Sequence, residues 1–74
     1  MDKNNRITQV MYEAFELKYK AQMSEAEASL LVYFTSPVGI GEHPQHIEEM
    51  DKLVERYSNA KDKLENIQNI FKYN

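Results

Sequence analysis

The stretch Ser36-Pro-Val-Gly-Ile-Gly-Glu-His-Pro44 decides the fold, because it holds every glycine and proline in the 74-residue chain: Pro37, Gly39, Gly41 and Pro44. These residues interrupt regular structure most strongly, so the chain is divided once, near its middle. Everything on either side is free to be helix. Residues from about 3 to 35 are rich in Ala, Leu, Met, Glu, Lys and Gln, the good helix formers. Their helix ends at Thr35 and Ser36, since a residue before proline is pushed out of the α region. Residues from about 44 to 72 open on Pro44, which suits a first helical position because its missing N–H would have had no partner there. Glu48 and Glu49 in the early turns and Lys72 in the last complement the helix dipole. Glu16 with Lys20 and Glu48 with Lys52 stand in the favourable i, i+4 order as exposed-face pairs. The expected architecture is all-α and a single domain: a two-helix antiparallel hairpin with a loop over residues 36–43.

The number of apolar stripes on each helix determines what the hairpin needs. Along the first helix, Ile7, Val10, Ala14, Leu17, Ala21, Ala28 and Leu31 fall on one side in a seven-residue pattern whose alanines permit close approach of another helix. A second line, Tyr12, Phe15, Tyr19, Met23, Ala26, Leu30 and Tyr33, runs along another side, with Asn4, Lys18, Gln22, Glu25 and Ser29 between the two. The second helix has one broad stripe: Ile47, Met50, Leu53, Val54, Tyr57, Ala60, Leu64, Ile67 and Phe71. One stripe covers one face of the first helix and leaves the other open, a larger apolar patch than an ordinary monomer carries. The expectation is self-association, most simply two hairpins forming an antiparallel four-helix bundle, or else a larger helical homo-oligomer.

Size and composition point the same way. A chain this short buries only about 60% of the surface it exposes when unfolded, so it needs a staple or a partner. It has no cysteine, which removes disulfides, thiolate chemistry and cysteine metal sites. Nine Lys and Arg against twelve Asp and Glu give a net charge of −3 with the signs mixed. No basic patch emerges, which argues against duplex nucleic acid as a partner. The longest apolar run, Leu30 to Phe34, is far short of the roughly 20 residues that span a bilayer, and the start Met-Asp-Lys-Asn-Asn-Arg leads into a polar helix rather than an apolar signal core. A cytoplasmic protein with no membrane partner is expected.

Chemistry, if any, is concentrated in the loop. Gly39 and Gly41 allow positive φ or close backbone approach, while Val38 and Ile40 are too apolar for a freely solvated tip. Backbone N–H groups running into a helix start can hold an anion, but the phosphate-binding glycine and lysine motifs are missing and Glu42 puts negative charge there. His43 and His46, with Glu42 and Glu49, resemble a sparse ligand set. A zinc site wants three or four converging ligands, so histidines bonded to backbone or water are the simpler reading and no metal or other cofactor is expected. Glu42 and His43 are adjacent and lack a nucleophile, so no enzyme is expected. The ligand- or partner-binding candidates are therefore Gly39, Gly41, Glu42, His43 and His46. A second set, Tyr12, Phe15 and Tyr19 with the cations Lys18 and Arg6, offers stacking faces and positive charge for a pocket between subunits, although a stripe at helical spacing is first of all core.

The run from Tyr33 through Pro-Val-Gly-Ile-Gly-Glu-His-Pro to Val54, continuing from Ala60 to Leu64, resembles a family of small proteins encoded by tailed bacteriophages. The resemblance covers about half the chain, centres on the loop, and extends to length and helical pattern. It brings no catalytic or binding residues with it. It implies one of three roles: an accessory factor that binds a host or phage protein, a sponge that sequesters an anionic signalling nucleotide in counter-defence, or a minor virion structural protein.

Overall fold

The computed structural model describes residues 5–35 and 45–73, apart from the side chains of residues 45 and 73. Two helices make up these residues, α1 over Arg6–Thr35 and α2 over Gln45–Tyr73, with no strand among them. The expected loop 36–43, with Gly39, Gly41, Glu42 and His43, and the expected helix start at Pro44 lie outside the described residues.

The N-terminus of α1 lies three residues later than the composition suggests. Asn5 is the cap: its Oδ1 accepts the N–H groups of Ile7 at 2.8 Å and Thr8 at 3.3 Å, and its carbonyl accepts the N–H of Gln9 at 3.0 Å. An asparagine that satisfies these otherwise orphaned donors holds non-helical dihedrals itself, so the helix begins after it. At the other end the Thr35 hydroxyl donates back to the Leu31 carbonyl at 2.7 Å, the i−4 back-bond that a threonine makes within a helix. In α2, Glu48 in the first turn and Lys72 in the last face the dipole in the stabilising sense.

The helices pack antiparallel into a rod of 54 × 14 × 12 Å. Tyr12 near the start of α1 stacks on Phe71 near the end of α2, and Tyr33 near the end of α1 meets His46 near the start of α2 edge-on, with centroids 5.6 Å apart. By those two pairs Ala26 falls opposite residues 53–57 of α2 and Ala60 opposite residues 19–23 of α1, stretches that hold the half-buried Leu53 and Tyr57 and Tyr19 and Met23. Ala26 and Ala60 are the most buried side chains, 1% and 2% exposed, followed by Leu64. Small residues at these points draw the two backbones together, and their large neighbours fill the gap. The resulting core is a single seam, with no fully buried large side chain among the described residues.

The seam uses only the aromatic line of α1. The other stripe points away from α2, leaving Ile7 70%, Leu17 68% and Leu31 54% exposed. On α2, Ile47 and Val54, expected in the stripe, are exposed instead, and His46 takes the inward place beside Met50 and Leu53. The reason is periodicity. Inward positions follow His46, Met50, Leu53, Tyr57, Ala60, Leu64, Ile67 and Phe71 at alternating steps of four and three, and Ile47 and Val54 each sit one residue, about 100°, off that line. Glu16 is half-buried and not on the outer face, though its ion pair with Lys20 forms at 4.0 Å, and Lys52 pairs with Glu49 at 3.5 Å rather than with Glu48.

Candidate functional site

Two surfaces merit description as sites: the open end of the hairpin, where aromatic rings gather, and the outer face of α1.

At the open end, residues three and four apart on α1 place Tyr12, Phe15 and Tyr19 along one edge of the seam. Tyr12 and Phe71 stack with ring centroids 4.1 Å apart and planes 15° from parallel, and Phe15 and Tyr19 lie 5.9 Å apart at 24°. Thr8, Met11, Tyr12, Phe15, Ile67 and Phe71 line a cleft of about 90 Å³ between the helix ends. Beside it sits a polar cluster that joins the helices. The Tyr12 hydroxyl donates to Glu16 Oε2 at 3.0 Å, and Gln68 Nε2 donates to the same oxygen at 3.3 Å across the seam. The Gln68 and Tyr12 hydrogen bonds hold the Glu16 carboxyl below its ordinary pKa, Lys20 adds to this, and partial desolvation opposes it. Desolvation, then the hydrogen bond to Glu16 and its charge, push the Tyr12 hydroxyl above its ordinary value. Both groups stay in their neutral-pH forms, so the cluster is a structural clasp.

Of the aromatic candidates, the structure brings Tyr12 and Phe15 into the cleft and puts Tyr19 next to Phe15. It does not bring the cations in: Arg6 and Lys18 are exposed and are not among the cleft's lining residues. His46 turns inward, half-buried and edge-on to Tyr33. No group of three His, Cys, Asp or Glu positioned to hold a metal occurs among the described residues. Sequence reasoning passed over Glu16 and Gln68. The i, i+4 spacing of Tyr12 and Glu16 carries a readable signal, whereas Gln68 joins from 52 residues away and carries none.

The outer face of α1 is uniform. Ile7, Val10, Ala14, Leu17, Ala21, Ser24, Ala28, Leu31 and Thr35 all lie exposed along it at alternating steps of three and four, without a charge among them. The outer face of α2 is the reverse: Glu48, Asp51, Lys52, Glu55, Asn59, Asp62, Asn66 and Asn69 are exposed there. Among the described residues no helix is long and apolar enough to cross a membrane.

Comparison with protein-family models, with curated proteins and with solved structures gives no match for this chain.

Proposed function

We propose that this chain is a non-enzymatic interaction module that works as a homo-oligomer, joined to its own copies through the outer face of α1. The loop with Gly39, Gly41, Glu42 and His43, backed by His46, is its binding surface for a host or phage protein. The observation that carries the proposal is the exposed row containing Ile7, Val10, Leu17 and Leu31. An uncharged row in which large apolar side chains are spaced by alanines, left in water, marks a surface that has a partner. The thin seam adds a reason, because a hairpin whose buried side chains are chiefly two alanines and a leucine gains from a second layer. Absence of catalysis is supported by the use made of the polar cluster at Glu16, whose donors are spent on tying helices together. The phage-type role rests on the resemblance of the loop. Native mass spectrometry of protein purified gently from expressing cells tests this reading. A whole-number multiple of the 8.7 kDa chain is expected. A bare monomer at high micromolar concentration would overturn it.

A second reading keeps the assembly and changes what it holds: an anionic nucleotide in pockets between copies. The aromatic wall of Tyr12, Phe15 and Phe71 favours it, since open rings offer faces on which a base stacks. Arg6 and Lys18 are exposed on the same stretch of α1. One chain's cleft is too small, given that small-molecule pockets usually run to about 300–1,000 Å³, so a second copy must supply the remaining walls. The same spectrum separates the readings. A nucleotide-sized mass excess per site, lost in Tyr12→Ala, supports the second, and a bare multiple supports a protein partner.

A further inference from the structure

Resting on the self-association just described, we infer that two copies pair through α1 in antiparallel orientation and in one register. In it Val10, Ala14, Leu17 and Ala21 of one copy stand opposite Thr35, Leu31, Ala28 and Ser24 of the other. The steps of three and four along the outer face are the repeat of a coiled-coil seam, in which each residue inserts between residues of the facing helix. What fixes orientation and register is the content of the seam and of its two borders.

The border on one side reads Met11, Lys18, Glu25, Val32, and on the other Arg6, Glu13, Lys20, Glu27, Phe34, all exposed. The first of these is complementary to itself when reversed. Laid antiparallel in this register, Lys18 meets Glu25 of the second copy, and Met11 meets Val32. On the other border Lys20 meets Glu27 and Glu13 meets Phe34, and symmetry repeats every pair. Within the seam, each of the two leucines faces an alanine, and the centre is Ala21 against Ser24. The Val10–Thr35 layer and the leucine–alanine layers are therefore of similar volume, and only the Ala21–Ser24 layers at the centre are smaller.

Other arrangements fail on observable grounds. Sliding one copy by seven residues, so that Ile7 meets Leu31, sets Lys18 on Lys18, Lys20 on Lys20 and Glu13 on Glu27. A parallel pair in register satisfies Glu13 with Lys18 and Lys20 with Glu25, so charge alone does not exclude it. It does stack leucine on leucine and alanine on alanine, so its layers differ more in volume than those of the antiparallel pair, and it sets Met11 beside Arg6 and Val32 beside Glu27. The antiparallel register gives Met11 and Val32, both exposed in the hairpin, an apolar neighbour. Because the seam lies on the side of α1 away from α2, the four helices form a row, α2–α1–α1–α2, rather than a square bundle. The charged outer faces of α2 end the row at two copies.

The chain has no cysteine, so single cysteines report on pairing without interference. Leu17→Cys and Ala28→Cys are each oxidised alone and as an equal mixture, with Ser58→Cys on exposed α2 as the control for random collision. The disulfide is expected in the mixture, as the 17–28 heterodimer, and in neither protein alone. Positions 17 and 28 differ by eleven residues, about 16 Å along a helix, so no one register joins both like and unlike pairs. Efficient cross-linking of each variant to itself would establish the parallel pair and overturn the inference, as would collision-level cross-linking throughout with a dimeric native mass. A monomeric wild-type mass instead removes the self-association beneath it. A second pair covers any weakening by Leu17→Cys: Lys18→Glu and Glu25→Lys are each expected to dimerise about tenfold less tightly than wild type, and their mixture to recover. Mixing restores complementary charge in the antiparallel register and not in the parallel pair, so failure to recover counts against it.

Discussion

Tyr12 and Phe71 lie face to face, ring centroids 4.1 Å apart and planes 15° from parallel, and so join the second turn of α1 to the last turn of α2. The same tyrosine donates through its hydroxyl to Glu16, which also accepts from Gln68. Apolar stacking and a polar clasp thus close the open end of the hairpin together, at the end farthest from the connecting loop. Phe71→Ala removes the stacking partner and one wall of the cleft. A loss of about 2 kcal/mol in unfolding free energy is expected, below the range for a fully buried ring because Phe71 is half-buried. Urea unfolding followed by circular dichroism measures it.

The tightest part of the seam is at Ala26 and Ala60, which are almost fully buried opposite larger residues. Neither position has room for a longer side chain unless the helices move apart. Ala26→Leu is expected to destabilise the hairpin by about 1–3 kcal/mol through overpacking, despite leucine being an excellent helix former. An unchanged or raised melting temperature would mean that the seam is looser than these alanines imply.

Acid should weaken the clasp at Glu16. Its carboxyl is held below the ordinary value near 4.5, chiefly by the hydrogen bond from Gln68 and then by that from Tyr12. A lowered folded-state pKa means that the folded form prefers the carboxylate. The stabilisation is therefore complete above the ordinary carboxyl pKa and is lost as pH falls through the lowered folded value. The Tyr12 hydroxyl, raised from 10.0, acts in the opposite sense: its contribution is full below that value and is lost as pH rises through the folded one. Glu16→Gln should lower the melting temperature near neutrality and change it least in acid, so that the acid limb of a plot of melting temperature against pH flattens.

Much of this arrangement is legible before any coordinates are seen. Clustering of Pro37, Gly39, Gly41 and Pro44 in one segment leaves two helices and one reversal, and the two apolar lines on the first helix are visible as heptad spacing. Which of those lines faces α2 is not legible, because Ile7, Val10, Leu17 and Leu31 make as good a stripe by hydropathy as the aromatic line does. The choice is made by side-chain shape across the seam, in the fit of Tyr12 to Phe71 and of Tyr33 to His46. Ile47 illustrates the same limit. Isoleucine is the more apolar residue, yet the half-buried position belongs to His46, whose register continues the line from Met50. The clasp from Gln68 to Glu16 joins residues far apart in sequence, and only the folded register brings them together.

Leu17 gives a sharp separation between folding and assembly. Its side chain is 68% exposed on the outer face of α1, so the hairpin owes it little. Leu17→Lys keeps a good helix former at the site, and its hydropathy cost is small in an isolated hairpin, within about 0.5 kcal/mol of neutral for such surface positions. In a pair of α1 helices the same lysine falls in the middle of an apolar seam, opposite Ala28 of the second copy in the proposed register. Each dimer then contains two of these charges by symmetry, each partly taken out of water. Sedimentation should show complete dissociation, while the helical circular dichroism of the single hairpin persists at low temperature. The melting temperature should fall to that of a monomer and lose its dependence on protein concentration, since an oligomer's stability is tied to mass action and a monomer's is not. Equal melting curves and equal masses for wild type and Leu17→Lys would mean that water is the only neighbour of this face.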